Sequence, residues 1–97
     1  MGAEHRKSAR RRVEQPVLVR SAEGAIIGEC MMLDVSGSGA RLKFITDLSV
    51  PHIFTLLLSK IDGSLKRHCV VAWRKDKQVG VRFVSAEDFV SAIMASA

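Results

Sequence analysis

The sequence predicts a mainly β protein: a six-stranded antiparallel β-barrel with a C-terminal α-helix and a flexible N-terminal arm. Three observations predict it. Short apolar runs recur at even spacing, separated by turn-forming residues, which is the pattern of a small barrel. Only the stretch after Ser85 carries an apolar repeat of helical period. Residues 1–11 carry no apolar periodicity at all and should be mobile without a partner, because like charges repel and nothing is buried. A chain of 97 residues holds one core, so the expected division is an arm over 1–11 and one domain over 12–97.

Val13 opens the first strand, with Val17 and Val19 on one face. Pro16 cannot donate to a ladder, which favours an edge or a strand start. Ser21-Ala22-Glu23-Gly24 is a turn. The next strand, over 25–33, has Ile27, Met31 and Leu33 on one face and Ile26, Cys30 and Met32 on the other, as a covered central strand would. Asp34-Val35-Ser36-Gly37-Ser38-Gly39 is a sharp corner. The strand over 40–45 alternates cleanly, with Ala40, Leu42 and Phe44 inward and Arg41 and Lys43 toward water.

Residues 46–51 break the pattern and are expected to cross one end of the structure as a short helical turn. The run over 52–60 fits neither period, because three leucines stand in a row. Strand is preferred since the run is short, follows Pro51 and ends at Asp62-Gly63, a hairpin signal. A fifth strand over 65–74 puts Leu65, Cys69, Val71 and Trp73 on one face. After Lys75-Asp76-Lys77, the strand over 78–84 has Val79, Val81 and Phe83 inward and Arg82 outward. Ser85 with Asp88 resembles a capping box, and Phe89, Val90, Ile93 and Met94 form one apolar stripe on the helix that follows.

Composition narrows the function. Hydrophobic residues make up 47% of the chain, yet no apolar run approaches the roughly 20 residues of a membrane span. The N-terminus lacks the apolar core of a secretory signal. Cys30 and Cys69 lie in apolar runs and read as buried thiols of a cytoplasmic protein; a disulfide would require adjacent strands. His5, His52 and His68 show no metal-ligand spacing, so no metal or cofactor is expected. The net charge of +5, concentrated in Arg6, Lys7, Arg10, Arg11 and Arg12 and near Arg74, Lys75 and Lys77, attracts phosphates.

Alone, the corner is an ordinary β-turn and the arm a solvated basic tail. Together they form a pattern. Arg6-xxx-Arg10 is followed six residues later by Pro16 at a strand start; Asp34-x-Ser36-x-x-Gly39 leads into Ala40-Arg41-Leu42; Val71-Ala72-Trp73 and Gly80-Val81-Arg82-Phe83 fall where a last hairpin would be. This resembles the PilZ domain family, whose signature is RxxxR followed by DxSxxG on a six-stranded barrel. The resemblance runs from Arg6 to about the final helix. It implies a receptor for the bacterial second messenger cyclic di-GMP, with Arg6 and Arg10 gripping phosphate and guanine and with Asp34, Ser36 and Gly39 on a guanine. It also implies an unidentified downstream protein partner, told of the ligand by ordering of the arm. Further candidates for ligand contact are His5, Arg11, Arg41 and Trp73; Trp73 reads either as core or as an aromatic wall.

The chemistry of these residue types agrees. A guanidinium matches phosphate oxygens and the O6/N7 edge of guanine. A carboxylate accepts from the N1–H and N2–H₂ donors that adenine lacks. Two other functions compete. A nucleic-acid-binding barrel fits the charge but not the 5% aromatic content, which leaves few rings for base stacking. A ligand-independent interaction module fits less well, since both motifs are intact. An enzyme is not expected, because no nucleophile has a matched base.

Overall fold

The computed structural model describes residues 10–44, 50–58 and 65–96. It contains β1 (Arg11–Ser21), β2 (Ile26–Val35), β3 (Gly39–Lys43), β4 (Ile53–Leu57), β5 (Lys66–Lys75), β6 (Gln78–Val84) and α1 (Ala86–Ser96). The strands close into a barrel in the order β1-β2-β3-β6-β5-β4, and every neighbouring pair is antiparallel. Closure pairs every strand on both sides over at least part of its length.

The inward side chains follow the period-2 alternation of the strands. Val17 and Val19, Cys30 and Met32, Ala40 and Leu42, Phe54 and Leu56, Cys69 and Val71, and Val79 and Val81 fill the interior. Phe44, just beyond β3, joins them. Pro16 pairs with Met31 of β2, and β4 joins β1 only from Leu18 onward, so no ladder bond from β4 is lost at the proline. The turn after β1 closes with Gly24 N–H donating to the Ser21 carbonyl at 2.9 Å.

Several expectations need correction. All five residues of β4 are buried, on both faces. Helix α1 packs against β4, β5 and β6, so the outer face of this short strand is covered as well as the inner. Double coverage is why its leucines obeyed neither period. On α1, Phe89 is buried and Ile93 half-buried, but Val90 and Met94 are exposed; the stripe is narrower than the sequence suggested. Ile26 is exposed, because the register against β1 slips next to Ile27. Leu65 is also exposed, at the mouth of the β4–β5 connection. The helical turn expected near 46–51 and the hairpin tip at 61–64 lie almost wholly outside the described residues.

The helix cap is as expected: Asp88 N–H donates to Ser85 Oγ at 3.0 Å. Beneath the helix, the His68 ring stacks on Phe89 with centroids 4.4 Å apart, and its Nδ1 meets Thr55 Oγ1 at 3.2 Å. Cys30 and Cys69 are buried and free, on strands that are not neighbours.

Candidate functional site

Strand β2 continues through Asp34 and Val35, so the corner is tighter than expected and consists of Ser36-Gly37-Ser38. Its hydroxyls are spent on the bend. Ser36 N–H donates to the Gly39 carbonyl at 2.8 Å, and Ser38 N–H donates to Ser36 Oγ at 3.2 Å. The Ser36 and Ser38 hydroxyls also meet each other at 3.2 Å. Phe83 N–H of β6 donates to the Ser38 carbonyl at 2.8 Å, which ties the corner to the barrel. Gly39 is required by packing: a Cβ there would collide with the Val81 backbone carbonyl of β6.

Asp34 is the corner's charged group, and it is buried at 5% exposure. A buried carboxylate needs partners. Arg41, its cross-strand neighbour on β3, supplies them: Nε donates to Oδ2 at 2.9 Å and Nη2 lies 2.8 Å from the same oxygen. The other oxygen, Oδ1, is buried and accepts no hydrogen bond. Arg10 Nη1 stands 3.3 Å from it, close enough for an ion pair but not aligned to donate. Arg41 is therefore half-buried against the acid, where alternation alone had it facing water.

The pairing continues across the outer wall. Asp34 faces Arg41, Arg41 faces Gly80, and Gly80 faces Trp73, in one row over β2, β3, β6 and β5. Trp73 is not in the core. The β5–β6 register slips between Val71 and Trp73, leaving Ala72 as an extra residue that turns Trp73 outward. The indole is 43% exposed and lies over Gly80, where a Cβ would strike its five-membered ring. Between the corner and the indole is a hollow of about 140 Å³, lined by Arg10, Ser38, Gly39, Ala40, Ala72, Trp73, Gly80, Val81 and Arg82. Its charged lining is two arginines and no acid.

A scan of protein families matches the PilZ domain over residues 4–92. The chain belongs to the PilZ domain family. No curated protein matches it. PilZ domains are known to bind cyclic di-GMP.

The two motifs by which the sequence resembles a PilZ domain do meet in space where they are described. Arg10 of the first motif stands against Asp34 of the second. Arg6 and His5 lie outside the described residues. Arg11 is exposed opposite Val35 and does not line the hollow. Arg12 pairs with Glu14 at 3.8 Å, both well exposed, a contact of little energetic weight. Arg74 is occupied elsewhere, donating from Nη2 to the Val50 carbonyl at 2.8 Å.

Sequence reasoning missed three parts of this PilZ domain's surface. Arg82 was read only as an outward residue, yet it lines the hollow. Gly80 was read as part of a motif, whereas it is the seat of Trp73. Arg41 was named as a candidate contact, and its hold on Asp34 was not foreseen. The alternation that put Arg82 and Arg41 outside was the available signal, and only the register shows what each one faces. Among the described residues, no group of three His, Cys, Asp or Glu side chains could hold a metal ion, and no helix is long and apolar enough to cross a membrane.

Proposed function

We propose that the chain is a non-enzymatic, cytoplasmic receptor for cyclic di-GMP, binding it between the N-terminal arm and the wall formed by β2, β3, β6 and β5. One observation carries the reading: a buried carboxylate with one oxygen held by Arg41 and the other unbonded, beside a cationic hollow with an aromatic wall. A buried acceptor without a partner is costly, and a ligand that donates to it relieves that cost. Guanine N1–H and N2–H₂ are such donors, and adenine has no equivalent pair.

In this reading Arg41 fixes the carboxylate and Asp34 Oδ1 receives the base. Arg10 leaves Oδ1 and, with Arg6, takes a phosphate. Trp73 offers its exposed face for stacking. Ser36 and Gly39 act chiefly by shaping the corner. Each charge-assisted hydrogen bond contributes roughly 1.5–3 kcal/mol. A few of them offset the ordering of the arm and leave about −8 kcal/mol, or micromolar affinity. Transfer of Arg10 from carboxylate to ligand changes how the arm is held, and that change is what a downstream protein would sense. Free, buried thiols accord with a reducing compartment.

Isothermal titration with cyclic di-GMP tests this. The account expects saturable heat that is lost in Asp34→Ala and Arg10→Ala. A folded wild-type chain that gives no heat contradicts it.

A further inference from the structure

The hollow holds a cation that neither motif contains. Arg82 stands on β6 directly across from Gly39 of β3, so it lies at the corner by strand register. It is exposed and makes no ion pair with any described residue. Arg10 lines the same hollow, and no acidic side chain does. Two guanidinium groups around one small concavity repel unless an anion lies between them. Arg10 has Asp34 as a counter-charge; Arg82 has none among the described residues.

Gly39 and Gly80, which line the hollow between the two arginines, carry no side chains, and the space over Gly80 is taken by the Trp73 ring. Gly39 packs on the Val81 carbonyl, and Gly80 carries the Trp73 ring. Nothing therefore projects from these two positions to block a planar group from lying against Trp73 with its charged substituents between the arginines.

We propose that Arg82 is an anion-binding residue of this site, taking one phosphodiester of the cyclic dinucleotide while Arg10 takes the other. The inference rests on the cyclic di-GMP reading above. A cyclic dinucleotide carries two phosphodiesters on opposite sides of its ring. Arg10 on one flank alone would leave the second anion without a counter-charge. Arg82 meets that need from the barrel itself, with a rigid fork that matches phosphate oxygens.

The test uses the intact chain and cyclic di-GMP, followed by calorimetry and by the fluorescence of Trp73, the chain's only tryptophan. Arg82→Ala, Arg82→Lys and Arg67→Ala are compared with wild type. Arg67 is an exposed arginine of β5 that does not line the hollow, so its loss removes the same charge elsewhere. Arg82→Ala is expected to weaken binding at least tenfold, Arg82→Lys to fall between, and Arg67→Ala to stay within twofold. The affinity of Arg82→Ala should also fall less steeply with added salt, because one fewer anion contact is made.

Equal affinities for Arg82→Ala and Arg67→Ala overturn the assignment. So does an unchanged salt slope with weakened binding. A wild-type chain that binds nothing overturns the receptor reading first and this assignment with it, so the two failures are told apart by the wild-type titration alone. Melting temperatures of the variants guard against misfolding.

Discussion

Arg41 grips a single oxygen of Asp34 with two guanidinium nitrogens, at 2.9 and 2.8 Å, and leaves the second oxygen buried without a hydrogen bond. The pair is cross-strand, so the barrel's register sets its geometry. Removing Arg41 strands a carboxylate that is only 7% exposed. Arg41→Ala should cost about 1–3 kcal/mol of stability, the usual penalty for an unsatisfied buried acceptor. In an Asp34→Ala background the same change should cost much less, which denaturant unfolding of the four-member cycle would measure. Additive effects would mean the contact contributes nothing.

The two glycines of the hollow should respond differently. Gly39→Ala forces a Cβ against the Val81 backbone carbonyl, which cannot move without opening the β3–β6 ladder. A loss of about 1–3 kcal/mol is expected, as for other overpacked sites. At Gly80→Ala the nearest atoms met belong to the Trp73 side chain, which can rotate away into solvent. It should cost less stability and shift Trp73 emission to the red. Spectra and melts that rank the two variants the other way would contradict the packing described.

His68 links stability to pH. Burial, then the charges of Lys66 and Arg20, hold its pKa below the ordinary 6.5. The folded chain therefore binds this proton less readily than the unfolded chain. Its contribution is whole above pH 6.5 and is lost as pH falls from there toward the depressed folded value. Thermal melts from pH 7.5 to 5 should show a decline in the wild type that is shallower in His68→Gln. Parallel curves would show that the ring beneath Phe89 does not titrate as described.

The thiols should be silent until the barrel opens. Burial is the main cause raising both Cys30 and Cys69 to about 12, so thiolate is negligible near neutral pH. Labelling by an aromatic disulfide reagent should follow global unfolding across a denaturant series. Fast labelling of the native chain would mean the interior is open to solvent.

Much of the barrel was legible because closed antiparallel sheets print their period on the chain. Ala40, Leu42 and Phe44 face inward as their spacing says, and Ser85 caps the helix as its distance from Asp88 says. What was illegible came from irregularity and from tertiary coverage. The extra residue at Ala72 flips Trp73 off the face that alternation shares among Cys69, Val71 and Trp73, which settles between core and outer wall, and no residue type announces a bulge. Helix α1 buries the outer face of β4, which erased its alternation. At the site, the motif positions Arg10 and Asp34 could be named in advance and do stand together. That Arg41 belongs to Asp34, and that Arg82 belongs to the hollow, are facts of register between strands. Register is set by all six strands at once and cannot be read from any one of them.

The central claim is that cyclic di-GMP docks at the Asp34 corner and draws Arg10 away from it. A titration of the labelled chain followed by amide and guanidinium NMR tests this most directly. The account predicts shifts concentrated at residues 5–12 and 34–41 and at the Trp73 indole, with Arg10→Ala and Asp34→Ala each weakening binding at least tenfold. Saturable binding that perturbs the α1 face instead, and leaves Asp34 and Trp73 unmoved, would contradict it.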